Sequence, residues 1–438
     1  MIKIDTSQIK NWEKIKKLHL EWYKEYIYPK IEITFEILKN EENNLIKSYN
    51  NVLKNILDKK EYYVIDNFIG NKNNDLIDKF ARINLEELKK ELNKIDLNKL
   101  SLNRKLNFLK IDDFKDIVNK YREKEILILE LERYININKL KIKELKEKPV
   151  ERLKKGTLIN LKEKSSYFYI CEGKKEFYPE NLFDYDSFST KSEGWNRHRL
   201  ISMMGISVCP YCQRQYITNY KENDGDKENN RTTSDLDHFI SKSKYPILAL
   251  CLYNFIPSCQ ICNSRFKGQD DSYKEAKLQV LYPYEESYDD YGVKFKTSIE
   301  LLENIIGEDK KFEVKIDSSQ LEENLKKSKE EVLSVEERIN NDIDMFGLNK
   351  VYKDSHNGYL KDMLKTIEKT PESYLNIISD LFVDEDEKNK EDEKEEKLKQ
   401  SFQEIVKEPY EFKIRNGEPL GKLTKDIAEE FGIDMGEE

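Results

Sequence analysis

The chain has 438 residues, of which 37% are charged, with a formal net charge of −9 and a mean hydropathy of −0.81. No apolar run approaches the roughly 18 residues needed to cross a bilayer, and the opening MIKIDTSQIKNWEK has no apolar signal segment. These features argue against membrane-embedded and secreted classes. A soluble, cytoplasmic protein of about two or three domains is expected.

Residues 1–155 read as a helical arm or bundle. Gly70 is the only glycine there, and Pro29 and Pro149 are the only prolines. Ile128, Leu131, Ile135, Leu140 and Leu145 recur at helical spacing between lysines and glutamates. Residues 156–204 form a mixed connector with aromatic clusters such as Tyr167-Phe168-Tyr169-Ile170. Residues 205–275 hold the chemistry-bearing motifs, and within them the polar, turn-rich segment 221–231 reads as a loop. Helical patterning returns over 276–383. Residues 384–399 mix 9 acidic residues with 5 lysines, so 384–400 reads as a solvated acidic linker or a frayed helix. The tail, 401–438, regains helical spacing at Leu420, Leu423, Ile427 and Phe431 and is expected to dock as a helix. The expected fold class is mainly α, with a small α+β module between helical N- and C-terminal regions.

Six cysteines are too few, and too unevenly placed, for a disulfide framework. Four of them form two knuckles, Cys209-Pro210-Tyr211-Cys212 and Cys259-Gln260-Ile261-Cys262, with 46 residues between. Paired knuckles with an insert suit one structural zinc held by four thiolates. The CPYC dipeptide also occurs in dithiol oxidoreductases, so a redox role for Cys209 and Cys212 is a competing reading. That role wants a compact βαβ domain starting nearby, and more than two hundred residues, mostly helical in pattern, precede Cys209 instead. Cys171 and Cys251 read as small core residues.

Between the knuckles, the run Asp235-Leu236-Asp237-His238-Phe239 alternates acid and apolar. It reads as a half-buried strand with the Asp-His pair at its exit, and Asp235 is either on its outward face or an acid that supports the site without touching the metal. A carboxylate beside an imidazole offers an oxygen ligand for a hard cation next to a group able to take a proton from water. Asn254 and Asn263 follow. An asparagine amide oxygen is a legitimate Mg²⁺ ligand, and an asparagine can also hold a histidine-bearing loop in place. Lys242, Lys244, Arg265 and Lys267 bracket the pair as candidate phosphate contacts. Arg197, His198 and Arg199 could line the same groove, while His19 and His356 read as structural or exposed. From Trp195 to Lys277 there are 12 Lys/Arg against 9 Asp/Glu, a local +3 (12 − 9). The overall negative charge therefore does not exclude a nucleic-acid partner.

Taken together, Asp237-His238, Asn254, Cys259-x-x-Cys262-Asn263 and Lys267-Gly268 resemble the HNH endonucleases of the His-Me finger (ββα-metal) group, in the form with two zinc knuckles. The resemblance covers about 70 residues. The last catalytic position is Asn rather than His, and Ser241 stands where a proline is common. The resemblance implies metal-dependent hydrolysis of DNA. His238 would be the general base and Asp237 and Asn263 the ligands of one Mg²⁺ or Mn²⁺. Asn254 would position the His238 loop, and Cys209, Cys212, Cys259 and Cys262 would hold one structural Zn²⁺. It also implies double-stranded DNA as partner, an ATPase subunit or a second copy docking on the helical arm, and a setting in bacterial anti-phage defence. The alternative is a non-catalytic zinc-knuckle protein that binds nucleic acid or serves as a scaffold.

Overall fold

The computed structural model describes residues 1–58 apart from 29, 30, 32, 33, 36 and 37; 80, 82–92 and 94; 182, 183, 185–190 and 194–299 apart from 225, 226, 275 and 276; and 305, 312–321, 329–368 and 406–435. The periodic segment 128–145, the aromatic cluster 167–170, Cys171 and the acidic run 384–400 lie outside the described residues. The described chain is mostly helical, with small antiparallel β pairs beside a four-cysteine cluster, as the patterning leads one to expect. No described helix is long and apolar enough to cross a membrane. Two compact units form, and neither is a single run of sequence. One contains Glu13–Asn196 and Ile240–Asn254; the other contains Met1–Trp12, Arg197–Phe239 and Phe255–Glu438.

The first unit is built on helices α1 (Trp12–Tyr26), α2 (Asn44–Asp58), α3 (Leu85–Leu92) and α4 (Tyr185–Thr190). Asn43 starts α2 because its side-chain oxygen accepts the otherwise orphaned amides of Leu45 and Ile46, at 2.9 and 3.3 Å. Ile46, Tyr49, Leu53 and Ile56 then bury one stripe of that helix. On α1, His19 is fully buried. Its Nδ1 accepts the Trp195 indole N–H at 3.0 Å, and since an indole can only donate, Nε2 carries the proton and donates to the Leu250 carbonyl at 2.8 Å. Burial pushes the His19 pKa from 6.5 down to about 4, only partly offset by the Leu250 carbonyl. The folded state therefore holds a neutral ring where the unfolded chain binds a proton. Stability from this group is complete above pH 6.5 and is lost as pH falls toward 4, by on the order of 3 kcal/mol. Denaturant titrations at pH 6.5 and 4 should show a loss smaller by that amount in His19→Gln than in the wild type.

In the second unit, helix α5 (Arg197–Met204) leads into the first knuckle, followed by strands β1 (Asn219–Asp224), β2 (Lys227–Thr232) and β3 (Ser234–His238). Strand β4 (Phe255–Cys259) pairs antiparallel with β3, with His238 opposite Phe255 and Ser234 opposite Cys259. A π-helical segment, Ile261–Lys267, follows directly. The segment expected as a loop, 221–231, is instead most of the β1–β2 hairpin, with Asp224 paired to Lys227. Its polar composition misleads because a hairpin ladder is made by backbone amides, and Asp224-Gly225 is itself a tight-turn signal.

Beyond the π-helix lie short pairs β5 (Tyr273–Lys274) with β6 (Lys277–Leu278) and β7 (Lys294–Thr297) with β8 (Val314–Asp317). Helices α6 (Lys329–Met345), α7 (Leu348–Tyr352), α8 (Asn357–Glu368) and α9 (Gly421–Glu430) complete the unit. The tail is two helices rather than one, 406–415 and α9, broken where Gly417 takes a left-handed φ of 58° before Pro419. Asp426 and Glu430 of α9 accept the β7 amides of Phe295 and Thr297 at 2.8 and 2.9 Å, which covers that sheet edge.

Candidate functional site

The sulfur atoms of Cys209, Cys212, Cys259 and Cys262 lie within 4.8 Å of one another, and all four residues are buried. Cys212 and Cys259 are 3.9 Å apart. A tetrahedral zinc with Zn–S bonds of about 2.3 Å spaces its thiolates by about 3.8 Å, whereas a disulfide needs about 2.05 Å. The geometry is that of a closed, four-thiolate structural zinc site. Burial pushes the Cys209 thiol well up, while hydrogen bonds from its three neighbours pull Cys259 down. A divalent cation at the centre removes that conflict by stabilising every thiolate at once.

Each knuckle is shaped locally. Around the first, the amide of Cys209 donates to Gln215 at 3.0 Å and that of Gln213 to Cys209 at 2.9 Å, with Gln213 in the left-handed region at φ 53°. The C-terminal region caps its carbonyls: the Tyr352 hydroxyl donates to Cys212 at 2.6 Å and the Leu420 amide to Gln213 at 2.8 Å. The second knuckle joins the end of β4 to the π-helix, so Cys259 and Cys262 come from two elements.

Asp235 and Asp237 share the face of β3 that meets the π-helix. Asp237 is 5% exposed, and Lys267 is 4% exposed. The Lys267 ammonium donates to both carboxylate oxygens of Asp237, at 2.8 and 2.7 Å, and to the carbonyls of His238 and Phe239, at 2.6 and 3.2 Å. The Tyr211 hydroxyl donates to Asp237 Oδ2 at 2.7 Å. Burial first, then the Asp237 charge, pushes the Tyr211 pKa well up, so the phenol stays a donor. Lys267 is thus a correction to the sequence reading, which placed it against phosphate. A carboxylate as buried as Asp237 is costly without a partner, and the lysine is spent on neutralising it.

Asp235 is engaged by the π-helix. It is half-buried, and its carboxylate accepts the Asn263 side-chain amide at 3.0 Å. Because a carboxylate accepts only, Asn263 must turn its Nδ2 toward Asp235, which leaves Oδ1 as the atom available to a cation. Asp237 has about four lone-pair positions, of which Lys267 and Tyr211 use three, so one is left for monodentate ligation. Each of these oxygens is, by its chemistry, the kind of donor that a hard divalent cation takes. His238 ends β3, half-buried, with its ring edge-on to Phe255 at 5.3 Å.

Asn254 belongs to the other unit, where it is 1% exposed. Its Oδ1 accepts the Ile240 amide at 2.7 Å, and its Nδ2 donates to the carbonyls of Ile240 and Leu248, each at 3.0 Å. One side chain thereby closes the loop that starts two residues after His238. Asn254→Ala leaves one buried donor and two acceptors unmet, and should cost about 3 kcal/mol in denaturant unfolding. A change under about 1 kcal/mol would show that the loop does not depend on it.

Of the other predicted phosphate contacts, Lys242 and Lys244 belong to the first unit and Arg265 to the second. Lys242 is exposed and lies 4.3 Å from the Tyr185 ring centre and 4.0 Å from Asp186, in the first unit. Lys244 is exposed in the same unit, and Arg265 is exposed on the π-helix. His198 on α5 is half-buried, with its pKa lowered by burial and then by Arg197; His356 accepts the Arg214 Nε–H at 2.9 Å. Sequence reasoning missed the roles of Tyr211 and Lys267 and left that of Asp235 open. No protein-family model, curated protein or solved structure matches the chain.

Proposed function

We propose that the chain is a zinc-stapled, metal-dependent endonuclease of the HNH kind, hydrolysing phosphodiester bonds in DNA. One observation carries the reading. An antiparallel pair and the helical segment after it, β3, β4 and Ile261–Lys267, bear Asp237-His238 at one end and close on the four-cysteine cluster at the other. That order is the ββα arrangement that the motif order in the sequence resembles.

In this reading His238 takes a proton from the attacking water. The water oxygen bonds to phosphorus, the bond from phosphorus to the 3′ oxygen breaks, and that oxygen leaves with a proton from solvent. Asp237 and Asn263 would hold a Mg²⁺ or Mn²⁺, which supplies charge neutralisation at the phosphate. Asp235 turns the Asn263 amide, and Asn254 steadies the chain that follows His238. Arg265, exposed on the π-helix, is the candidate for a phosphate contact in this unit. Double-stranded DNA as substrate, an ATPase subunit or second copy as partner, and a defence setting rest on the sequence resemblance alone.

Nicking of supercoiled plasmid by purified protein with Mg²⁺ or Mn²⁺ tests the reading. Conversion to open circles that stops on chelation is the expected result. Zinc-loaded protein that binds DNA and never cuts it would replace the nuclease with a zinc-knuckle binding protein.

A further inference from the structure

We infer that Lys267 is a positioning residue: its buried ammonium, together with the Tyr211 hydroxyl, registers the Asp237-His238 pair against the zinc cluster. The two side chains come from opposite knuckles. Tyr211 lies between Cys209 and Cys212, and Lys267 closes the π-helix that contains Cys262. Both converge on the Asp237 carboxylate. Each half of the zinc site therefore sends one donor to the same acid.

Lys267 does more than neutralise a charge. An ammonium has three N–H groups, and here four oxygens surround it, at 2.6, 2.7, 2.8 and 3.2 Å. Those oxygens belong to the side chain of Asp237 and the main chain of His238 and Phe239. Holding three consecutive residues fixes the backbone at His238, and hence the direction in which its half-buried ring leaves β3. A buried ion pair is weak evidence of stabilisation, since apolar groups of the same volume often serve as well. What apolar groups cannot supply is a directed link from Cys262 to the strand exit. Arginine is expected to be a poor substitute here, because a flat guanidinium cannot place one atom among four converging acceptors.

The test compares wild type, Lys267→Met and Lys267→Arg by zinc content, by histidine-ring ¹H–¹³C spectra and by cleavage kinetics. With four histidines in the chain, His238→Ala assigns the relevant resonance. Lys267→Met should keep its zinc and shift the His238 resonance while His19 and His356 stay in place. Lys267→Arg should not restore it. The kinetic arm rests on the proposed nuclease activity: kcat should fall about 100-fold with KM unchanged, the signature of a displaced group rather than lost binding. The spectral arm needs no activity, so a wild type that fails to cut would undo the nuclease reading alone. An unmoved His238 resonance in zinc-loaded Lys267→Met overturns the inference. If that variant does not fold, Asp237→Asn is compared with Asp237→Asn/Lys267→Met, where no unpaired carboxylate is left. Identical His238 spectra in those two overturn it equally.

Discussion

Replacing Cys262 by serine, or stripping the cluster with a strong chelator, is expected to unfold the zinc-bearing unit. Structural zinc contributes about 10–16 kcal/mol of binding free energy coupled to folding, and a whole domain is stable by only about 5–15 kcal/mol. Loss of the ion therefore removes as much as the unit has. The structure shows why little would compensate. The four cysteines are buried and draw together the first knuckle, the end of β4 and the π-helix. Tyr211 stacks on Phe346 at 4.3 Å, and Tyr352 donates to the Cys212 carbonyl, so the surrounding core is assembled on the knuckle. Near-ultraviolet dichroism and thermal melting with and without chelator, beside a zinc assay, measure the effect. Zinc-free protein that melts like the loaded form would show that the cysteines are merely packed. Thiols that react freely before any chelator is added would favour the redox reading instead.

The zinc cluster and β3 were legible in the sequence because their signals are local. Two CxxC spacings are readable without knowing the fold, and the alternation of acid and apolar residues from Asp235 onward marks a strand that carries the paired residues. The partners of those residues were not legible. Tyr211 meets Asp237 across 26 positions, Asn263 meets Asp235 across 28 and Lys267 meets Asp237 across 30. Such pairs are set by which face of β3 the π-helix covers, and no residue type announces that. A lysine near a nucleic-acid motif reads as a phosphate contact because lysines are mostly exposed. Lys267 is an exception because Asp237, buried and bonded to the neutral Tyr211 hydroxyl, still needs its charge balanced. Asp235 was left open between an outward position and a supporting acid, because alternation alone does not say what packs on that face of the strand. The tail shows a milder form of the same limit. The apolar spacing of Leu420, Leu423 and Ile427 identified a helix, while the break at Gly417–Pro419 decided where it begins.

His238→Ala is expected to lower the cleavage rate by about 1,000-fold while zinc content and fold stay as in the wild type. General-base catalysis contributes about 100- to 10,000-fold, which sets the size of the loss. The structural side of the expectation comes from the position of the ring. His238 stands at the end of β3, half-buried, against the edge of Phe255, so truncation there should cost no more than about 1 kcal/mol. Asn254→Ala provides the contrast, because its side chain makes three buried hydrogen bonds and its removal acts on stability. A variant set that separates rate from stability in this way ties chemistry to His238 and architecture to Asn254. Should His238→Ala cut as fast as the wild type, the histidine has no part in the reaction and any activity has to be sought elsewhere in the chain. Should both proteins be inactive yet bind DNA with zinc in place, the Asp-His strand is a structural element of a binding protein. Its tight clamp by Lys267 and Tyr211 would then serve rigidity alone.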